Sequence, residues 1–252
     1  MSIRIGTASW TDATLIKSGR FYPKGCTSAE ARLRFYASQF ALVEVDSSYY
    51  AMPSASNSAL WVERTPDGFI FNMKAFRLFT GHQTERKFFP KDLQGELPQT
   101  GKPNLYYRDV PAPVIEEMWA RYFEAIEPLR AAGKLGAVLF QFAPWMTSEP
   151  KDRAHVEHCA ERMHPYLTAF EFRSKSWADS DGRGNAECSR RRFSFRTRAS
   201  PLPRDTHNVT TLSISLVFTL SSMENTCHAH SHSIRATSRS GTPSAPMKIS
   251  PR

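Results

Sequence analysis

Little in this chain points to an oxidising compartment or a membrane. Its four cysteines, Cys26, Cys159, Cys188 and Cys227, form no Cys-x-x-Cys pair and have no close spacing, and the opening MSIRIGTASW lacks the apolar run of a signal peptide. A reducing cytoplasm is the simplest expectation. The longest apolar stretch of the C-terminal part, 212–220, spans about nine residues broken by Ser and Thr, against roughly 20 for a bilayer span. No Gly-x-Gly-x-x-Gly, Walker A or Gly-x-Ser-x-Gly pattern occurs, so a nucleotide-cradling loop and a hydrolase nucleophile elbow have no support.

What is present divides into two compositions. The 252 residues carry a formal charge of +9, which alone would suggest an anionic partner such as nucleic acid. Residues 1–181, however, hold 22 Lys and Arg against 21 Asp and Glu, whereas residues 182–252 hold 11 against 3. The basicity therefore belongs to the last 71 residues, of which 21 are Ser or Thr, with ten Arg to one Lys. Only 211–220 there reads as a strand. The change of composition predicts a domain over 1–181 and a low-complexity basic tail over 182–252, with out-of-frame or mispredicted sequence as the origin of that tail.

The first part alternates between strand and helix periods. Strands are expected at 3–7, 41–46, 69–74, 135–142 and 168–173. Helices are expected at about 28–40, opened by a capping box at Thr27 and Glu30, around Leu60 and Trp61, along the face Ile115, Met118, Trp119, Tyr122, Ile126 and Leu129 up to a C-cap at Gly133, and from Pro150 to Met163. Residues 75–113 form an excursion longer than an ordinary connection, hence functional or a surface excursion. Strands separated by helices imply parallel pairing in an α/β fold. Five strands within 173 residues leave room for three more βα units near the ~250 residues of an eight-stranded barrel.

Seven fragments in order then carry a resemblance: Gly6-Thr7-Ala8-Ser9-Trp10, Phe21-Tyr22-Pro23, the run 43–50 (VEVDSSYY), the run 65–69 (TPDGF), the run 74–83 (KAFRLFTGHQ), the run 139–145 (LFQFAPW) and the run 171–177 (EFRSKSW). Together they resemble the YecE-like family, also called domain of unknown function 72. The resemblance implies a TIM-barrel-type fold, incomplete here at about five βα units, and no established activity. Ser174 stands where the family commonly has His, and Ala143 where a second Pro is usual. The resemblance is seen to stop within a few residues of Trp177.

In such a barrel the carboxyl ends of the strands carry the site, and residues two apart share a face. Glu44 with Asp46, Asn72 with Lys74, Gln141, and Glu171 with Arg173 place polar groups on four adjacent strands, where an unpaired charge is costly. One reading is a polar pocket with Glu44 or Glu171 as general acid or base and with Lys74 and Arg173 holding an anion. The other is a set of mutually compensating ion pairs filling the barrel centre. His82, in the excursion, is either a loop residue closing over the pocket as proton shuttle or a surface histidine. Trp10, Tyr49, Tyr50 and Trp177 are either stacking walls for a ring or packing beneath loops.

The expected catalytic set is Glu44, Lys74 and Glu171, with Trp10, Tyr49, His82, Gln141, Arg173 and Trp177 binding substrate. No cofactor is expected. Glu44, Asp46 and Glu171 could offer oxygen ligands to a hard cation, but no His motif completes a metal set, and the Cys-His-Ala-His-Ser-His tract at 227–232 fits the foreign reading frame better than a metal site. The expected partner is a small polar or anionic, carbohydrate-like metabolite. The alternatives are nucleic-acid binding through the basic tail, which is disfavoured, and an inactive frameshifted product, because five strands leave open sheet edges.

Overall fold

A computed structural model of the chain describes residues 4–99 and 101–179. Six α-helices and six strands occur there, in the order α1 (Ala13–Lys17), α2 (Ala29–Gln39), β1 (Leu42–Val45), α3 (Ala55–Glu63), β2 (Ile70–Lys74), β3 (Thr84–Glu85), β4 (Asn104–Leu105), α4 (Ala112–Ala131), β5 (Leu135–Gln141), α5 (Pro150–Met163), β6 (Thr168–Glu171) and α6 (Ser176–Asp179). The strands expected at 41–46, 69–74, 135–142 and 168–173 form one parallel sheet in the order β1-β2-β5-β6. Each step crosses through a helix, as the alternating periods imply. The tail expected over 182–252, with the strand expected at 211–220, lies outside the described residues.

The strand expected at 3–7 is reduced to a single parallel bridge between Ala8 and Glu44 on the free side of β1. Glu44 N–H donates to Thr7 O at 3.1 Å, and Ser9 N–H donates to Glu44 O at 2.8 Å. The ladder goes no further for two reasons. Thr7 N–H is taken by the Tyr36 hydroxyl at 2.7 Å, and Ser9 turns the chain away with a φ of 72°, a left-handed conformation uncommon outside glycine. The N-terminal segment thus grips the backbone of Glu44 on both sides.

Period two divides the sheet into faces. Val43, Val45, Phe71, Met73, Val138 and Phe140 enter the main core with the buried sides of α2, α4 and α5. On the other face Ala137, Leu139 and Ala169 form a small apolar patch, beyond which Gln141 pairs in register with Glu171. Between β2 and β5 the register slips at a bulge. There Asn72 Oδ1 accepts from Ala137 N–H at 3.0 Å, and a Cβ on Gly136 would lie 2.2 Å from that oxygen. Asn72 is therefore spent on closing the bulge rather than on a pocket.

The helices follow their sequence faces. Ser28, not Thr27, caps α2, its hydroxyl accepting from Ala31 N–H at 3.0 Å, while Glu30 pairs with Arg34 at 2.9 Å and Arg64 at 3.4 Å. In α4, Ile115, Met118, Trp119, Tyr122, Ile126 and Leu129 are buried as the spacing requires, and Gly133 follows with a φ of 65°. Burying each large apolar side chain contributes about 1.5–3 kcal/mol, so this stripe outweighs the modest helix propensities around it. Beyond α4, Lys134 is 5% exposed and its ammonium donates to Val62 O at 2.8 Å, Thr65 O at 2.7 Å and Thr65 Oγ at 3.2 Å, tying the end of α3 to the start of β5.

The excursion over 75–113 is built of short 3-10 turns and the antiparallel pair β3-β4. It is anchored by its own apolar residues. Phe76, Leu78, Phe79, Phe89, Leu93, Leu97 and Leu105 are all buried, and Phe79 stacks on Trp119 with centroids 3.8 Å apart. This segment begins where β2 ends and carries its side chains across the carboxyl edge of the sheet.

Candidate functional site

Asp46, Lys74, Gln141 and Glu171 end or directly follow four neighbouring strands, and Glu44 lies two residues before Asp46. Lys74 Nζ donates to Asp46 Oδ1 at 2.6 Å. Gln141 Nε2 donates to Glu171 Oε2 at 2.8 Å, and Arg173 Nε reaches Glu171 Oε1 at 3.4 Å. The turn after β1 is pinned by Ser48, whose hydroxyl lies 2.7 Å from Val45 O and 2.6 Å from Lys74 O.

Glu44 differs from the other carboxylates. It is 8% exposed, and among the described residues no donor bonds its carboxyl oxygens. Burial pushes its pKa up; the attraction of Lys74 opposes this, while the negative charges of Asp46 and Glu171 add to it. A carboxyl raised in this way can hold or accept a proton closer to neutrality than an exposed glutamate. The ion-pair reading of the sequence holds for Lys74 and Arg173, which face Asp46 and Glu171. It does not extend to Glu44.

Aromatic and basic groups from the segments after β1, β2 and β5 surround this edge. The Tyr49 ring has Lys74 Nζ and the Arg77 guanidinium each 5.4 Å from its centroid. Tyr50 meets Tyr49 edge-on at 4.9 Å and is 51% exposed. His82 lies edge-on to Tyr49 at 5.3 Å and to Trp145 at 5.7 Å, and the half-exposed Trp145 is fixed by its Nε1–H donating to Gly81 O at 3.2 Å. Burial lowers the His82 pKa to about 4, helped by the charges of Arg77, Arg173 and Lys74. His82 is thus neutral near neutral pH, outside the range that suits a proton shuttle there. Burial likewise raises the Tyr49 hydroxyl pKa.

The expected site residues Glu44, Lys74, Glu171, Tyr49, His82, Gln141 and Arg173 are linked by these contacts and charges. Trp10 and Trp177 are not part of them. Trp10 is 7% exposed and packs edge-on against Trp61 at 5.4 Å and Phe71 at 6.3 Å, in the main core. Trp177 is 4% exposed, stacks on Phe172 at 4.2 Å and donates to Met146 O at 3.0 Å. Both support loops from below rather than offering a ring face. Arg77 and Trp145, absent from the expected set, join the cluster; an arginine inside the apolar run 75–79 was the available sign of the first. Among the described residues no group of three or more His, Cys, Asp or Glu could hold a metal ion, and no helix is long and apolar enough to cross a membrane.

These features define a mixed α/β protein with a parallel sheet whose carboxyl edge bears a polar and aromatic cluster. The chain belongs to the family described as protein of unknown function DUF72, whose model matches residues 4–196. That match runs past residue 181, so it lends no support to reading the chain from 182 onward as foreign. UPF0759 protein YunF of Bacillus subtilis (strain 168) is 34% identical over 175 residues, covering 69% of this chain and 52% of YunF; the chain spans about half the length of that relative. The DUF72 family protein EF0366 of Enterococcus faecalis V583, in its 3.10 Å crystal structure, superposes with a TM-score of 0.51 at 25% identity, covering 71% of this chain and 54% of the other. The DUF72 family protein TM1631 of Thermotoga maritima MSB8 gives a TM-score of 0.49 at 25% identity, covering 70% of this chain and 58% of the other.

Proposed function

We propose that the carboxyl edge of the sheet is a binding and proton-transfer site for a small polar or anionic, carbohydrate-like metabolite, in a cytoplasmic protein of TIM-barrel type whose wall includes β1, β2, β5 and β6. The observation that carries this reading is Glu44. It is buried, has no hydrogen-bond partner among the described residues and is raised in pKa, while the neighbouring carboxylates are engaged by Lys74, Gln141 and Arg173. Its oxygens are not sealed from solvent, so they can reach a ligand directly instead of standing as unmatched atoms in the core. In this reading Glu44 exchanges a proton with a ligand hydroxyl, and Gln141 and Glu171 hold neighbouring hydroxyls.

The test is calorimetric titration of the full chain with neutral sugars, sugar acids and sugar phosphates. The expected result is a ligand bound by the wild type and weakened at least about tenfold by Glu44→Gln, as follows from losing a hydrogen bond to a charged group. Equal binding to both forms, or none to the wild type, rejects the reading.

A further inference from the structure

Arg77 is the cation of this cluster that no carboxylate claims. Lys74 is held by Asp46 and Arg173 by Glu171. Among the described residues, the Arg77 guanidinium makes no ion pair, and its Nε is buried without a hydrogen-bond partner. It is nevertheless held in position. Its Cζ lies 5.4 Å from the Tyr49 centroid and 5.5 Å from that of Phe88, and its backbone N–H donates to Tyr49 O at 3.1 Å. A fixed guanidinium with unused donors is suited to two-pronged recognition of a phosphate or carboxylate.

Beside it, His82 is set as an acceptor. The Thr80 hydroxyl donates to Arg77 O at 3.0 Å, so its oxygen receives from His82 Nδ1 at 2.9 Å. The ring proton therefore sits on Nδ1, and Nε2 keeps its lone pair with no partner among the described residues. The lowered pKa of His82 agrees with that neutral form. Arg77 thus fixes the tautomer of His82 through Thr80 while adding positive charge beside it.

Building on the reading of this edge as a ligand site, we infer that Arg77 anchors the anionic group of a hydroxylated ligand, a sugar bearing a phosphate or a carboxylate, and that His82 Nε2 accepts a hydrogen bond from one of its hydroxyls. Arg77 holds the charge, His82 selects for a hydroxyl, and the half-exposed Trp145 flanks the ring. Lys74 and Arg173 keep their own carboxylates in place.

The experiment titrates the full chain calorimetrically with glucose, glucose 6-phosphate, glucuronate and inorganic phosphate. Glucose 6-phosphate or glucuronate binds at least about tenfold more tightly than glucose, in line with a charge-assisted pair, and the stronger of the two identifies the anion. Arg77→Gln removes that preference. Arg77→Lys, which keeps the charge and stem but loses the fork, weakens the anionic sugar several-fold and covers the case in which Arg77→Gln fails to fold. His82→Phe lowers the preference for glucose 6-phosphate over inorganic phosphate. If the wild type binds the neutral and anionic sugars equally, or the Arg77 variants keep the preference, the anchor is overturned; the site itself still stands if Glu44→Gln weakens the same ligands. If none of the four probes binds, both readings fall.

Discussion

The ammonium of Lys74 lies 2.6 Å from Asp46 and leaves the more deeply buried Glu44 without a bonded cation. The two carboxylates sit two residues apart on one strand and its following turn, yet their environments diverge. Asp46 has a direct partner, whereas Glu44 feels Lys74 only as a nearby charge.

Replacing Lys74 with Met is expected to push the Glu44 pKa further up, since the attraction of Lys74 is what opposes burial there and the charge of Asp46 is then no longer offset. A carbon-detected NMR titration of the glutamate side chains follows this directly. An unchanged or lowered midpoint for Glu44 contradicts the electrostatic account.

The same group gives stability a defined pH dependence. Because the native pKa of Glu44 lies above its ordinary value of 4.5, the native state holds more protons than the unfolded state between the two values, and stability falls as pH rises through that window. Glu44→Gln removes the effect. The variant is expected to melt above the wild type at neutral pH, with the gain vanishing below about pH 4.5. A gain that persists at low pH would have another cause.

His82 is expected to titrate near pH 4 in a histidine C2–H NMR experiment. Its native pKa lies below the ordinary 6.5, so the unfolded state binds more protons between those values, and the stability present above 6.5 is lost as pH falls toward 4. Arg77→Gln is expected to raise the midpoint, since the Arg77 charge helps to depress it. A wild-type midpoint close to 6.5 would refute the buried, cation-flanked placement.

Lys134→Met is expected to destabilise the fold by about 2 kcal/mol or more, because the carbonyls of Val62 and Thr65 lose a charged donor. In a chain of this size that corresponds to a drop of about 4–8 °C in Tm. Thermal unfolding followed by circular dichroism reads it, and a variant as stable as the wild type would mean that water replaces the ammonium.

The repeating βα pattern was open to sequence reasoning because period and turn chemistry are local. The four paired strands and α2 to α5 fall within a few residues of expectation. The first strand was not, because its loss depends on the Tyr36 hydroxyl arriving from α2 to take Thr7 N–H. For the site, strand position located Glu44, Lys74, Gln141 and Glu171, since alternation assigns their face. Trp10 and Trp177 also follow strands, but in loops no period dictates where a side chain points, and both turned inward. Arg77 was hidden for the complementary reason: its ring partners Tyr49 and Phe88 come from separate segments that only the folded excursion brings together.

That excursion has a consequence for cooperativity. Phe79, three residues before His82, stacks on Trp119 of α4, and its carbonyl lies 2.8 Å from His155 Nε2 and 3.4 Å from Cys159 Sγ on α5. A segment welded in this way to two helices cannot open as an independent flap. Exposing Arg77 and His82 by local unfolding would require giving up the contacts that hold α4 and α5 against the sheet. The segment bearing Arg77 and His82 is therefore as durable as the core beneath it, and a ligand of the proposed site has to meet it as it stands.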